Sequence, residues 1–542
     1  MIFVAALIVA AVIAFFDRGR DGDTTGPIGR ALASGWAPLV VGVVSAGVLW
    51  WTWGRLQPPP VFHDEISYLL QARLFVEGRW TAPSPPMPDM FAQAHVIVAP
   101  VMASKYPPGH SLLLALGALF GAPAIVVIAL GGLRFGMTFA LARRLTDGHV
   151  ALVTCLGLLH GDSLRWGASY FSETTTGALL LVGWYALARW HDGHGRRWLT
   201  LVALALGWCA ITRPYSAVLF AVPIGWVVLR RVVATRSWRD LALAVAVGSA
   251  VTAVIPLWSA RTTGDWRLWP ATVYARDYMP FDRPHFGVDS TLPRRSLPGD
   301  LEALIPSLRS VERVHTVANL PTIASRRFAA FANATWQVPL PQAALALVGV
   351  ATAPAAAWVG VVTAATLFAG YLAHPTWTRW TIYYMEASPV LVFLAVCGIA
   401  AMLRGLARAP GARTLFHAPA RGSRAFALVG VVILLYAQHD VRLVRHLEAD
   451  HRAYQEDFRR TLSSVPAPAI LFVRHAPWHI ADLSLITNGP DWPDAPVWVV
   501  ADGGPARDSA LLRMAPTRRA FIYDEAHSRV EPYVPPATAR TQ

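Results

Sequence analysis

Long apolar runs, separated mostly by short polar stretches that often carry Arg, dominate this chain. A run of about 20 such residues crosses a ~30 Å hydrocarbon core as a helix. The pattern predicts spans near residues 1–16, 36–56, 122–145, 148–166, 172–190, 197–213, 215–231, 238–260, 342–356, 357–373, 387–404 and 424–438. The expected fold is a mainly α, polytopic membrane protein of about 12 spans. The weakest division lies within 342–373, where only Pro354 and small residues separate two runs. The first run is followed by Asp17-Arg18-Gly19-Arg20 and no small-residue cleavage site, so a retained helix is expected there rather than a signal peptide.

After residue 439 the pattern changes. Ala469-Ile470-Leu471-Phe472-Val473, Val497-Trp498-Val499-Val500 and Ala520-Phe521-Ile522-Tyr523 read as strands. Asn488-Gly489-Pro490 and Asp502-Gly503-Gly504 read as turns between them. Three units are expected: an N-terminal helix and basic loop at 1–35, a membrane domain at 36–438, and a small α/β domain at 439–542.

Short basic loops set the orientation. Arg18, Arg20 and Arg30 lie in one; Arg143 and Arg144, then Arg189, Arg196 and Arg197, lie in others. Arg230, Arg231, Arg236 and Arg239 follow, then Arg404, Arg408, Arg413, Arg421 and Arg424. Under strict alternation all fall on one face, which the positive-inside rule makes cytoplasmic. The segments 57–121, 261–341, 374–386 and 439–542 then face outward.

Composition agrees. Of 542 residues, 54% are hydrophobic and 15% charged, with a mean hydropathy of +0.41. A net charge of +14 would suit nucleic acid, but the Arg residues cluster at the ends of apolar runs, so nucleic acid is not an expected partner. Cys155, Cys209 and Cys397 lie inside apolar runs without metal-ligand spacing and read as small buried hydrophobes. Abundant Ala and Arg with a single lysine point to a GC-rich bacterial genome, hence a cytoplasmic membrane with the outer segments in the periplasm or its equivalent.

Four outward features carry candidate chemistry. His63-Asp64-Glu65 follows the span ending near Trp53, and paired acids at a membrane mouth are costly unless used. They read either as a general base or cation site, or as a solvated helix cap. Ser104-Lys105-Tyr106-Pro107-Pro108 holds the lone lysine, a compact charge suited to phosphate, beside a rigid turn; headgroup snorkelling is the rival reading. Glu173 opens a later span as a second acid or as a helix-start acid. Arg379 precedes a late span and suits bidentate phosphate binding, while Trp380 and Tyr383 read as an interfacial belt. His63, His95 and His110 lack zinc-site spacing and read as local hydrogen-bonding residues. Tyr274-Ala275-Arg276-Asp277-Tyr278 reads as a lid or juxtamembrane helix.

This ordered set resembles the GT-C membrane glycosyltransferases, near the protein O-mannosyltransferase and aminoarabinose-transferase branch (glycosyltransferase family 39 and its relatives). The similarity covers roughly residues 36–400 and is strongest at 60–120; Thr212-Arg213-Pro214-Tyr215 and Thr263-Gly264-Asp265 also fit. The resemblance implies a GT-C-like bundle with Asp64, flanked by Glu65, as catalytic base. It implies Lys105 and Arg379 at the donor phosphate and Glu173 as second acid, where relatives more often carry Asp. A divalent metal, Mg or Mn, between Asp64 and Glu173 is left open, and no other cofactor is expected. His63, Tyr106, Tyr274 and Tyr278 are candidate sugar or lid contacts.

The implied function is inverting transfer of a sugar from a polyprenyl-phosphate-linked donor to a glycan, lipid or protein hydroxyl at the outer membrane face. The rival readings are a flippase or transporter of a lipid-linked saccharide and an inactive scaffold. A transporter would place its charges near mid-bilayer in broken helices or repeats, whereas these acids sit at an outer helix mouth.

Overall fold

The computed structural model of the chain describes residues 2–16, 27–54, 58–297, 302, 305–407, 423–479 and 483–534. Arg18, Arg20, Arg408, Arg413 and Arg421, assigned above to the cytoplasmic face, lie outside the described residues.

The apolar runs fold as helices. Among the described residues, five are long and apolar enough to cross a membrane: Ala124–Leu145, Pro214–Thr235, Trp238–Thr263, Thr381–Gly405 and Phe426–Ser463. Two bent pairs bring the number to seven, Pro27–Ala33 with Ala37–Trp53 and Pro339–Thr352 with Ala355–Tyr371. The second pair turns through 119° at the Pro354 break, where the sequence pattern was weakest. Other predicted runs form Ile2–Phe16, Glu173–His191 and Arg196–Ala210. The run 148–166 departs from expectation. Its helix stops at Gly157, and a short second helix spans Gly161–Arg165. Polar side chains explain the break, because His160 meets Asp440 at 2.6 Å and Asp162 takes the Thr381 hydroxyl, partners that a continuous lipid-facing helix would lack.

Helix packing relies on small residues. A Cβ at Gly349 or Gly398 would collide with the backbone carbonyl of Leu394 or Leu345, so Pro339–Thr352 and Ser388–Ala407 cross backbone to backbone. Val218, Val222 and Trp226 on Pro214–Thr235 are each about 60% exposed. An apolar face left open on a helix of that length belongs against lipid tails.

The predicted outer segments meet on one face. Helix His63–Val76 carries a small antiparallel sheet of strands Ala82–Pro83, Val101–Ser104 and Val96–Ile97, in the order first, second, third as named here. Residues of the 261–341 loop reach it, with Arg295 pairing Asp89 at 3.1 Å. The C-terminal domain packs there too, where Leu70, Phe91, Ile470 and Trp498 share one apolar core and the Trp492 indole donates to the Pro83 carbonyl at 3.0 Å. Its sheet sets Val497–Ala501, Ala469–Arg474 and Arg519–Asp524 parallel, with Arg529–Pro532 as an antiparallel edge. The three expected strands are present and the edge strand is an addition. No linker separates this domain at 439, since helix Ser423–Ser463 runs for 41 residues from the last predicted span into it.

Candidate functional site

Asp64 and Glu65 sit side by side in the first turn of His63–Val76, where the helix dipole favours acids. One residue of helical rotation gives them opposite fates. Glu65, at the third helical position, folds back to accept the amides of Val61 at 2.6 Å and Phe62 at 3.0 Å. Its other oxygen accepts the Tyr170 amide at 2.7 Å, and the side chain is buried. Burial pushes the Glu65 carboxyl above the ordinary range against the pull of these three amides. Glu65 thus ties the first outer loop to the segment leading into Glu173–His191.

Asp64 instead keeps a 25% exposed side chain. The Tyr106 hydroxyl donates to it, and His95 Nε2 lies 3.8 Å away. Burial, then the neighbouring Lys105 charge, holds His95 well below the usual imidazole range, so His95 is neutral here. Burial and the Asp64 charge raise the Tyr106 phenol, which stays protonated and able to donate.

The sheet register brings Lys105 to the same place. Val96 pairs with Ser104, so the Lys105 amide donates to the His95 carbonyl at 3.1 Å. The Ser67 hydroxyl bonds the His95 carbonyl and Ser104, each at 2.7 Å, bracing this turn on the helix that carries Asp64. Gly109, after the Pro-Pro turn, presses against Ile211 with its amide 2.7 Å from that carbonyl, and a Cβ would collide there. Lys105 is buried, with its Nζ 3.3 Å from Asp282 and over the rings of Tyr274 at 4.8 Å and Tyr106 at 5.2 Å. Partial desolvation raises the Asp282 carboxyl, but the Lys105 charge outweighs it and leaves it below the usual range. Asp64 and Lys105 are therefore brought together around the same two residues, Tyr106 and His95.

The remaining candidates distribute as follows. Tyr274 lies on helix Pro270–Tyr278, the predicted lid segment, and its hydroxyl accepts the His95 amide at 2.8 Å; Tyr278 packs on it with ring centroids 5.0 Å apart. His63 is buried edge-on to His95, centroids 6.1 Å apart. His110 bonds the Thr175 hydroxyl and the Tyr170 carbonyl, each at 2.8 Å, a local hydrogen-bonding role as expected. Glu173 is buried and paired with Arg213 at 2.6 Å. Arg213 also donates to the Tyr371 hydroxyl at 3.0 Å and lies 5.8 Å from the Tyr383 ring. Tyr383, expected at the lipid interface, instead stacks on Tyr371 at 4.9 Å, because the turn Thr381–Ala387 points it inward. Arg379 is exposed, and no side-chain ion pair of it occurs among the described residues.

A metal between Asp64 and Glu173 does not fit these residues. Arg213 already supplies the cation beside Glu173, and Asp64 is held by the Tyr106 hydroxyl. Tyr68, with its hydroxyl 2.9 Å from Ser172 and its ring 4.7 Å from that of Tyr106, stands between the two acids. A cavity of about 680 Å³ opens at the far end of Glu173–His191, beside Arg144 and Asp192, and does not contain Asp64. Asp282 and Arg213 were not among the predicted site residues. Asp282 lies in a long loop without local pattern, whereas Arg213, a charge closing an apolar run, carried a readable signal.

No protein-family model and no curated protein sequence matches this chain. Solved structures do. ArnT from Cupriavidus metallidurans bound to undecaprenyl phosphate aligns with a TM-score of 0.51 at 16% identity, over 91% of this chain and 94% of that one. Its apo state gives 0.49 at 15% identity over the same shares. Arabinosyltransferase EmbB from Mycobacterium smegmatis gives 0.39 at 12% identity, over 83% of this chain and 43% of that one. The likeness to the lipid-bound ArnT structure shows the fold: this multi-pass membrane protein is a GT-C-like helical bundle with a small C-terminal α/β domain.

Proposed function

We propose that this chain is a membrane glycosyltransferase that moves a sugar from a polyprenyl-phosphate-linked donor to an acceptor hydroxyl at the outer, periplasmic face of a bacterial membrane. The observation that carries this reading is the approach of Asp64 and Lys105, a part-exposed carboxylate and the chain's lone lysine, to the same Tyr106 and His95. The polyprenyl phosphate bound by the structurally similar ArnT supports the donor class.

Asp64 takes the acceptor proton while the hydroxyl oxygen attacks the anomeric carbon, and the bond to the phosphate breaks with inversion. A positioned carboxylate base contributes about 10²–10⁴-fold. The departing phosphate gathers negative charge and exchanges Asp282 for itself at Lys105, whose ammonium stabilises that charge. Tyr106 fixes the Asp64 rotamer, and neutral His95 fills the wall between the two charges. Tyr274 and Tyr278, buried against each other, brace Lys105 from behind. Glu65 acts as a positioning residue through its three amides. Arg213, whose charge is committed to Glu173, and the exposed Arg379 are the candidate second cations.

Purified protein in proteoliposomes with a labelled polyprenyl-phosphate sugar tests the reading. Release of free polyprenyl phosphate with sugar on an added acceptor is expected. Movement of intact donor across the bilayer without cleavage would instead establish the transporter reading.

A further inference from the structure

The C-terminal sheet gathers a second cluster, far in sequence from Asp64. Strands Ala469–Arg474 and Arg519–Asp524 run parallel, with Arg474 paired to Asp524 at their C-terminal ends. The next residue on each strand is therefore brought beside the other, His475 from one and Glu525 from its neighbour. The turn after His475 returns His479 to the same point four residues later. The two imidazoles pack with centroids 4.2 Å apart, and the carboxylate lies between their Nδ1 atoms. His479 Nδ1 is 2.8 Å from one Glu525 oxygen and His475 Nδ1 is 3.3 Å from the other. One ligand-capable atom from each residue falls within 4.8 Å of the other two.

We propose that His475, His479 and Glu525 bind a divalent transition-metal ion, of which zinc is the best match. Two imidazoles and a carboxylate form a mixed nitrogen and oxygen set that zinc accepts tetrahedrally. Zinc bonds of about 2.0–2.2 Å set tetrahedral donors roughly 3.3 Å apart, near the 3.3 and 2.8 Å between the Nδ1 atoms of His475 and His479 and the carboxylate. The surroundings are those of a supported site. The Tyr454 hydroxyl and the Ala476 amide, the latter at 2.8 Å, both donate to Glu525 and fix its carboxylate plane. The Glu525 and His479 side chains are almost fully buried, whereas that of His475 is 18% exposed and leaves a way in for the ion and for water in the fourth position. Tyr454 belongs to helix Ser423–Ser463 and packs near Phe62 and Leu483. The ion would therefore fix the sheet end to which helix Ser423–Ser463 is tied through the Tyr454 hydroxyl, near Phe62 at the start of the helix that carries Asp64.

The test uses the full-length protein in detergent, stripped with a chelator and then offered zinc chloride alone. About one zinc per chain is expected by elemental analysis after desalting, with a rise in the thermal midpoint. Cobalt in place of zinc should give the visible absorption of a tetrahedral site without thiolate charge-transfer bands. The pair His475→Ala and His479→Ala, and separately Glu525→Gln, should reduce zinc to background and abolish the midpoint shift. A stripped wild-type chain that takes up no zinc above background and shows no shift would overturn the proposal, leaving a hydrogen-bonded His-Glu-His cluster. Undiminished zinc in the variants would overturn the ligand assignment equally. If the double variant fails to fold, the wild-type uptake and cobalt spectrum still decide the matter. None of these readouts involves sugar transfer, so their failure is distinct from failure of the glycosyltransferase reading.

Discussion

Two acid clusters lie about one tyrosine apart and have opposite construction. Around Asp64 the carboxylate keeps an open edge, its nearest partners are a neutral hydroxyl and a neutral imidazole, and the cation is engaged by Asp282 instead. Around Glu173 the acid is closed in: Arg213 neutralises the carboxylate at 2.6 Å, and the guanidinium also donates to Tyr371, Ser172 and Ser216. An acid left open to solvent and free of a direct cation can accept a proton. One locked in a buried ion pair holds helices together. On the proposed function the contrast gives chemistry to the first cluster and architecture to the second, in keeping with the cost of leaving a buried charge unpaired.

The largest effect that separates them is Asp64→Asn, which should lower sugar transfer by about 10²–10⁴-fold while expression and membrane insertion stay as in wild type. Wild-type turnover in that variant would end the base assignment. Arg213→Leu should act on the other register and destabilise the fold by about 3–5 kcal/mol by stranding Glu173 in a dry site. Pairing it with Glu173→Gln should recover most of that loss in a thermal melt, because an uncharged pair leaves no buried charge. Failure of the double variant to recover would move Glu173 toward a direct role.

Lys105→Ala should weaken donor use by roughly 10- to 100-fold, the scale of one charge-assisted hydrogen bond, with the loss concentrated in kcat/KM. An effect of equal size on acceptor binding instead would separate Lys105 from the phosphate. The smallest effect on turnover is expected from Glu65→Gln. It should cost about 1–3 kcal/mol of stability through its poorer match to three amides, while the protein that remains folded keeps near-normal kcat. A turnover loss comparable to Asp64→Asn would make the two neighbouring acids a functional pair.

How far the sequence reached can be seen residue by residue. Helices were legible because a bilayer accepts only long apolar segments with their hydrogen bonds satisfied internally, and that requirement is written in composition. The strands Ala469–Arg474, Val497–Ala501 and Arg519–Asp524 were legible as short apolar runs between turns. Asp64 and Lys105 were named because a charge at the edge of an apolar run is conspicuous. Their partners were not. Asp282 reaches Lys105 across 177 positions, and Glu525 reaches His475 across 50, with nothing local to mark either. Arg379 was named for its place before a late span and is exposed, while Arg213, not named as a site residue, pairs with Glu173 across 40 positions of chain.

The sequence by itself determined that this chain lives in a membrane, that one face carries long polar loops, and that an acid and a lone lysine belong to that face. Hydrophobic run length and charge placement are local properties, so they survive in one dimension. Which acid stays open and which is neutralised, and which histidines converge on a carboxylate, was decided only by folding. Those outcomes depend on strand register, on one residue of helical rotation between Asp64 and Glu65, and on close backbone contact at Gly109.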